Sequence, residues 1–257
     1  MRRASLWAAV LGVFGVGALA LAAPPAGAAN GGEIFVVQGL PGRTVDVALD
    51  GDAVATGLAG ATLSRRIPVD AGRHTLTFTS GGSRLLARTV DVKAGSSTDV
   101  ALHLPVDPTG APVVTVFDNA RASVPASKAS VTVAHLAAVP PADVRVGGKV
   151  LFANIANGEA LNLVVPVGTY RVDIVPAGAT SPVVLGPLDL TVKGGSLNRV
   201  FAVGDPSSST MRVVVQVLGM ASTGSGAPDL VDTGTGGQAA LHGTGASSAL
   251  LRVPLRR

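Results

Sequence analysis

Histidines are the side chains best suited to proton transfer near neutral pH in this 257-residue chain, which contains no cysteine. They are His74, His103, His135 and His242. A zinc site needs three or four converging ligands, and nothing in the sequence brings such a set together. His135 shares one face of a predicted strand with Val131 and Val133. We interpret it as an imidazole that closes the strand by bonding a loop carbonyl; a ligand or proton-transfer role is the alternative.

Acidic and amide side chains also cluster at two predicted turns. Asp50-Gly51-Asp52 resembles a fragment of a calcium loop, but Ala53-Val54-Ala55 supplies none of the alternate oxygen ligands that such a loop requires. A hairpin turn is therefore predicted there. Asn154 and Asn157-Gly158 indicate a second turn. The alternative is that their amides face a sugar or a peptide partner.

Catalytic motifs of the common classes are absent from the sequence. No Gly-x-Ser-x-Gly elbow joins a predicted strand to a helix, and neither a Walker loop nor a dinucleotide fingerprint occurs. The sequence therefore predicts a protein that is not an enzyme, with no catalytic residues, no cofactor and no metal ligands.

Strands with alternating side chains must position all of these groups. Tyr170, Val172 and Ile174 fall on one face of a strand, and His74, Leu76 and Phe78 alternate with threonines. No segment of the body reads as an amphipathic helix. In the first half of the chain, strands are predicted at 33–38, 44–49, 62–67, 73–79, 85–92, 98–104 and 113–117. Short strands at this spacing predict an all-β fold.

An internal repeat divides the body into two tandem domains. Asp46-Val47 recurs as Asp143-Val144, 97 residues later (143 − 46), and the segment around Lys93 recurs around Lys193, 100 residues later (193 − 93). Small changes in loop length explain this drift, so the copies are expected to share one fold. The predicted organisation is a signal peptide at 1–29, a first β-sandwich at 30–118, a linker at 119–128, a second β-sandwich at 129–219 and a flexible tail at 220–257.

The second copy resembles the bacterial secreted domain-of-unknown-function family 4397. The resemblance rests on the strand that ends in His135, the hairpin that begins at Asp143, the strand from Pro166 to Tyr170 and the last apolar strand. With the first copy as a divergent repeat, it covers about residues 33–218. Gln38 stands where the first copy would carry its histidine. The resemblance implies two tandem immunoglobulin-like antiparallel β-sandwich domains outside the cytoplasm, with no established reaction.

Both ends of the chain contain segments that resemble export or attachment signals. Arg2-Arg3, the apolar stretch 6–22 and the Ala26-Gly27-Ala28 site are typical of a secretory signal peptide. An uncleaved anchor and twin-arginine export are the alternatives. Near the other end, Leu230, Thr233 and Gly234 match a sortase wall-attachment signal in which Val231 replaces the proline. The stretch 238–255 is too polar to span a membrane, so a disordered tail is the default expectation.

The charge distribution argues against nucleic acid as a partner. The formal net charge is +4, but Arg2 and Arg3 lie in the signal and Arg252, Arg256 and Arg257 lie at the end. The remaining 15 basic and 16 acidic residues nearly cancel. We expect a secreted or cell-surface, non-enzymatic binding, adhesion or structural protein whose partner is a cell-wall polymer or another surface protein. The alternative is a carbohydrate-binding or hydrolase-associated accessory module of the cell envelope.

Overall fold

The computed structural model describes residues 31–220, which form strands, turns and loops. The predicted signal peptide, His242 and the candidate attachment residues Leu230, Thr233 and Gly234 lie outside the described residues. The strands of the described part are β1 (Gly31–Gln38), β2 (Val45–Leu49), β3 (Asp52–Leu58), β4 (Thr62–Leu63), β5 (Ile67–Asp70), β6 (Gly72–Ser80), β7 (Ser83–Val92), β8 (Ser97–His103), β9 (Val113–Asp118), β10 (Lys128–Ala137), β11 (Ala142–Val146), β12 (Lys149–Ile155), β13 (Ala160–Pro166), β14 (Gly168–Pro176), β15 (Leu185–Val192), β16 (Ser196–Gly204) and β17 (Arg212–Gly219).

These strands form four sheets in two sandwiches. Sheet I has the order β3-β2-β6-β7, and sheet II has the order β4-β1-β8-β9 with β5 also paired to β1. Sheet III has the order β13-β10-β16-β17, and sheet IV has the order β12-β11-β14-β15. Sheets I and II make the first sandwich, and sheets III and IV make the second. The second sandwich repeats the strand order of the first, so the all-β prediction is confirmed and the two halves share one arrangement.

The expected immunoglobulin-like antiparallel arrangement is not confirmed, because sheets II and III are mixed. β1 pairs with β8 in parallel, and β10 pairs with β16 in parallel. In immunoglobulin constant domains the first strand instead belongs to a sheet of the order ABED. Here the chain passes between the two sheets of a sandwich before its eighth strand returns beside the first in the same direction. The predicted strand 62–67 is also divided, because Ser64 leaves the ladder and its Oγ accepts a hydrogen bond of 2.8 Å from the Val36 amide.

Each sandwich has an apolar core between its own two sheets. In the first, Leu76 and Phe78 of β6 are fully buried against Ile34 and Val36 of β1. In the second, Ile174 is buried, and Tyr170 and Val172 pack against the same cluster. The predicted alternation of β14 is therefore confirmed. The Tyr170 hydroxyl donates a hydrogen bond of 2.7 Å to the Pro166 carbonyl, which satisfies its polar end.

A third apolar cluster joins the two sandwiches. It consists of Val37 and Ala101 from sheet II and of Ala134, Leu136, Phe201, Val203 and Val214 from sheet III. Every residue of β8 and of β16 is buried, which means that both faces of these strands are covered. Sheets II and III therefore pack face to face. Residues 31–220 accordingly belong to one compact unit.

A buried ion pair lies within this docked surface. Asp99 of β8 and Arg199 of β16 approach to 2.7 Å between Oδ2 and Nε, and their side chains are 0% and 3% exposed. Asn119 donates a hydrogen bond of 2.9 Å to the other Asp99 oxygen, and Arg199 Nη1 donates one of 3.1 Å to the Asp118 carbonyl. The guanidinium also lies 5.3 Å from the ring centre of Phe117. Burial raises the pKa of the Asp99 carboxyl, and the neighbouring Arg199 opposes that rise.

Removing one member of this pair should destabilise the protein strongly. In Arg199→Met, the Asp99 carboxylate stays buried without its cationic partner, so we expect the free energy of unfolding in urea to fall by about 3–5 kcal/mol. The double variant Asp99→Leu/Arg199→Met should regain much of this loss, because no charge is left between the sheets. Arg73→Met is the matched control: its pair with Asp91 is 76% and 74% exposed, and its loss should stay below about 1 kcal/mol. Equal losses in the two single variants would contradict a structural role for the buried pair.

Candidate binding cleft

A cleft of about 510 Å³ lies between sheets II and III, beside the segment that connects the sandwiches. Its walls come from the end of β9, from β10, β13 and β16, and from the irregular segment 119–127 that connects the sandwiches. Ala120 and Ala122 of that segment line the cleft. Their small side chains leave open the volume that larger apolar residues would fill. Concave sites of this size between structural units are common locations for small ligands.

A ladder of three polar side chains forms one wall of the cleft. Thr132 of β10 and Asn162 of β13 are direct cross-strand partners, so their side chains lie on the same face of sheet III. Asn162 Nδ2 donates hydrogen bonds of 2.6 Å to Ser130 Oγ and 2.8 Å to Thr132 Oγ1. Ser130 and Thr132 are buried, whereas Asn162 is exposed. We call Ser130, Thr132 and Asn162 the hydroxyl–amide ladder.

Apolar side chains make up most of the remaining surface. Phe117 of β9 and Leu197 of β16 lie on the inner side, and Val164 of β13 lies at the outer side with 45% of its surface exposed. Val124 of the connecting segment is buried and lines the same cleft. The cleft therefore combines a hydrogen-bonding wall with apolar walls, which is the usual composition of a ligand site.

Sequence reasoning missed this cleft. The one signal was Asn162 in ALNLVVP, the single polar side chain of an otherwise apolar strand. A lone polar residue in such a strand often has a specific hydrogen-bond partner. The partners Ser130 and Thr132 lie about thirty residues earlier, and the walls from β9 and the connecting segment depend on docking that the sequence does not specify.

His135 belongs to β10, one of the cleft strands, but it does not line the cleft and its side chain bonds backbone groups. Its Nε2 donates a hydrogen bond of 3.2 Å to the Pro140 carbonyl, and its Nδ1 accepts one of 3.3 Å from the Ala137 amide. In the first sandwich, Gln38 does the same: its Nε2 donates to the Arg43 carbonyl at 2.8 Å, and its Oε1 accepts from the Leu40 amide. The predicted bond from His135 to a loop carbonyl is therefore present.

Asn157 connects the two sandwiches. Its Nδ2 donates hydrogen bonds of 3.1 Å to the Leu104 carbonyl and 2.7 Å to the Ala137 carbonyl. The first acceptor belongs to the first sandwich and the second to the second sandwich. The alternative, in which the Asn157 amide faces an external sugar or peptide, is therefore wrong for this residue. Both of its amide hydrogens are donated to carbonyls within the chain.

Asp50 forms the predicted hairpin turn, and its carboxylate binds within the same sandwich. Asp50 and Gly51 both have positive φ angles, 51° and 101°, as the tight two-residue turn requires. Asp50 Oδ1 accepts a hydrogen bond of 2.7 Å from the Thr75 amide, and its Oδ2 accepts one of 2.7 Å from His74 Nδ1. The bond to Asp50 raises the pKa of His74, and the same bond lowers the pKa of Asp50.

A second buried histidine, His103, lies at the surface where the two sandwiches dock. Its Nδ1 donates to the Leu104 carbonyl at 2.8 Å, and its Nε2 accepts from the Thr115 hydroxyl at 2.9 Å. Burial lowers the pKa of His103 from 6.5 to about 4, and the nearby His135 adds to the shift. Burial also lowers the pKa of His135. Both imidazoles are therefore neutral at pH 7.

Among residues 31–220, no three His, Cys, Asp or Glu side chains come together as a metal-binding group. Within the same range, the structure contains no helix long and apolar enough to cross a membrane.

The two histidines should give stability profiles of opposite sign. The unfolded chain protonates His103 near pH 6.5, before the folded chain does, so acidification from about pH 6.5 to about pH 4 should cost up to about 3 kcal/mol of unfolding free energy. His103→Gln should remove this part of the acid sensitivity. The contribution of His74 has the opposite sign, because its folded pKa is raised: it is present below pH 6.5 and lost as pH rises through the folded pKa.

Urea unfolding of the wild type, His103→Gln and His74→Gln across this pH range tests both signs. The difference between wild type and His103→Gln should favour the wild type most near neutral pH. The difference between wild type and His74→Gln should favour the wild type most at acid pH. Parallel profiles for all three proteins would contradict the assignment.

Comparison with known proteins provides one family match. The family described as "Domain of unknown function (DUF4397)" matches residues 32–142. The match covers the first sandwich and the connecting segment, and it continues through β10 to the first residue of β11. It therefore falls on the copy that was expected to be the more divergent, and the family model finds no second copy. No curated protein matches the chain. Residues 32–142 carry one DUF4397 domain, and the description of that family assigns no activity.

Proposed function

We propose that this protein is a secreted or cell-surface, non-enzymatic binding protein whose two sandwiches hold a ligand in the cleft between them. The observation that carries the proposal is the cleft itself, a concavity of about 510 Å³ with a hydroxyl–amide ladder on one wall and apolar side chains on the others. A small number of fixed polar groups in an apolar concavity gives a ligand both affinity and orientation.

The docking of the two sandwiches supports this function by fixing the shape of the cleft. The Asp99–Arg199 pair, the Asn157 amide and the third apolar cluster all join the same two sheets. A site whose walls are already ordered in the free protein loses less conformational entropy when a ligand binds. The same docking is compatible with a structural role, in which the two joined sandwiches act as a rigid spacer at the cell surface.

We further propose that the second sandwich is a second, divergent copy of the family domain. The support is structural equivalence at matching positions. The Asp46 carboxylate accepts from the Gly57 amide at 2.7 Å, and the Asp143 carboxylate, 97 residues later, accepts from the Asn154 amide at 2.7 Å. Gly57 and Asn154 share the left-handed conformation, with φ angles of 67° and 54°. Duplication and divergence of one unit accounts for these shared details.

Export should remove the first residues of the chain. Cleavage after Ala28 or Ala29 follows the small-residue pattern around Ala26-Gly27-Ala28. Intact-mass measurement of protein from culture medium and from envelope fractions should give a mature chain that begins at Ala29 or Asn30. Ala28→Phe, which places a large side chain at the cleavage site, should retain the leader. A wild-type protein that keeps residues 1–28 would contradict secretion by this route, and a covalent adduct after Thr233 would establish wall attachment.

The hydroxyl–amide ladder also favours one second candidate, the carbohydrate-binding accessory module. Hydroxyl and amide groups on one wall can exchange hydrogen bonds with sugar hydroxyls. The aromatic residue of the cleft, Phe117, lies under the Arg199 guanidinium instead of forming an open platform. The cleft-binding function therefore does not depend on a sugar ligand.

Filling the cleft should abolish binding without unfolding the protein. Ala122→Leu adds an isobutyl group from the connecting segment, outside both sandwich cores. A mixed library of neutral, charged and saccharide fragments, measured by NMR on the backbone amides of Thr132 and Asn162, should give hits whose affinity falls at least about tenfold in this variant. Ala94→Leu, at an exposed turn between β7 and β8, is the matched control and should bind as the wild type does. Fragments that shift only distant loops, or that ignore Ala122→Leu, would contradict the function.

A further inference from the structure

The charges that line the cleft are balanced. Its charged lining residues are Arg199 and Asp118, which have opposite signs, and the Asp118 charge acts on Arg199 in the sense that favours the guanidinium cation. The Arg199 side chain is already committed to Asp99 and to the Asp118 carbonyl. A ligand of either charge would therefore meet an attractive and a repulsive group together, and it would gain little Coulombic energy to offset its loss of hydration.

The hydroxyl–amide ladder has both donor and acceptor capacity to offer. Asn162 uses its Nδ2 to hold both hydroxyl oxygens. The hydroxyl hydrogens of Ser130 and Thr132 and the Oδ1 of Asn162 are the polar groups that the ladder can present to a ligand. A hydroxyl or a primary amide is the ligand group that both donates and accepts, so either matches the ladder without a net charge.

The remaining lining of the cleft favours a ligand with an apolar body. Val116, Phe117, Val124, Val164 and Leu197 surround the ladder. Each methylene that such walls remove from water contributes about 0.8 kcal/mol. A ligand that carried several polar groups would leave some of them against these side chains without partners, which costs free energy.

We propose that the cleft takes an uncharged amphiphile, with a short apolar body and a single hydroxyl or primary amide head that bonds Ser130, Thr132 and Asn162. This inference rests on the proposed binding function and names the ligand class of the same site. The ladder sets the preference for the head group, and the apolar walls set the length of the body.

A matched series of probes separates charge from shape. The affinities of n-hexanol, hexanamide, hexanoate and hexylammonium for the mature protein at neutral pH are measured by NMR titration. We expect the two neutral probes to bind at least about tenfold more tightly than either ion. Thr132→Val preserves the volume of the side chain but removes its hydroxyl. The affinity for n-hexanol should therefore fall by roughly fivefold, as the loss of one hydrogen bond predicts. Thr191→Val, which breaks a hydroxyl pair with Thr169 in sheet IV, should leave the affinity unchanged.

The outcomes distinguish the ligand class from the function. Tighter binding of hexylammonium would assign the site to the Asp118 carboxylate, and tighter binding of hexanoate would assign it to Arg199; either result overturns the neutral amphiphile. Tighter binding of N-acetylglucosamine than of n-hexanol would also overturn it and would favour the carbohydrate module. Equal effects of Thr132→Val and Thr191→Val would overturn the role of the ladder. Failure of every probe and every library fragment to bind the wild-type cleft would overturn the proposed function itself.

Discussion

The buried pair of Asp99 and Arg199 is the constraint on which the arrangement of the two sandwiches depends. Each charge loses its hydration between two largely apolar sheets, and each is tolerable there only beside the other. The docked arrangement of sheets II and III brings these two charges together. The tilted rings of Phe117 and Phe201, 6.4 Å apart, enclose the guanidinium in that arrangement. The cleft adjoins the same ion pair, because Arg199 also lines it.

The two sandwiches share backbone contacts at equivalent positions more often than they share residue types. Gln38 and His135 hold equivalent loops with different functional groups, and Gly57 and Asn154 adopt the same left-handed conformation at equivalent bulges. In each case the requirement is a donor, an acceptor or a permitted φ angle at one position. An amide and an imidazole both meet the first requirement, and glycine and asparagine both meet the last. This explains how two copies of one fold can differ in most of their side chains.

Local features were the part of the structure that the sequence could predict. The strands β6 and β14 and the turn at Asp50-Gly51 follow from alternation and turn chemistry, which depend on neighbouring residues alone. The parallel pairing of β1 with β8 could not be predicted this way, because alternation reveals which face of a strand is apolar and does not reveal which strand lies beside it. In β8, Asp99 and His103 alternate with Val100 and Leu102 as on a solvated strand. Their burial depends on Arg199 and the rest of sheet III and on the loop that holds Asn157, all far along the chain. The cleft could not be predicted from the sequence for the same reason, because its walls come from strands far apart along the chain.

The parallel pairs also impose an order on folding. Glu33 of β1 pairs with Ser97 of β8, 64 residues later (97 − 33), and Ser130 of β10 pairs with Leu197 of β16, 67 residues later (197 − 130). Hairpins such as β6–β7 close over a few residues and form early, whereas pairs at this separation form late because the intervening loop must first lose its entropy. The two sheets that dock are thus the two that close last in their own sandwiches. During synthesis, the first sandwich has its outer face of Val37, Ala101 and Asp99 in place well before β16 leaves the ribosome. Over that interval the nascent chain presents an uncovered apolar surface that contains one unpaired acid.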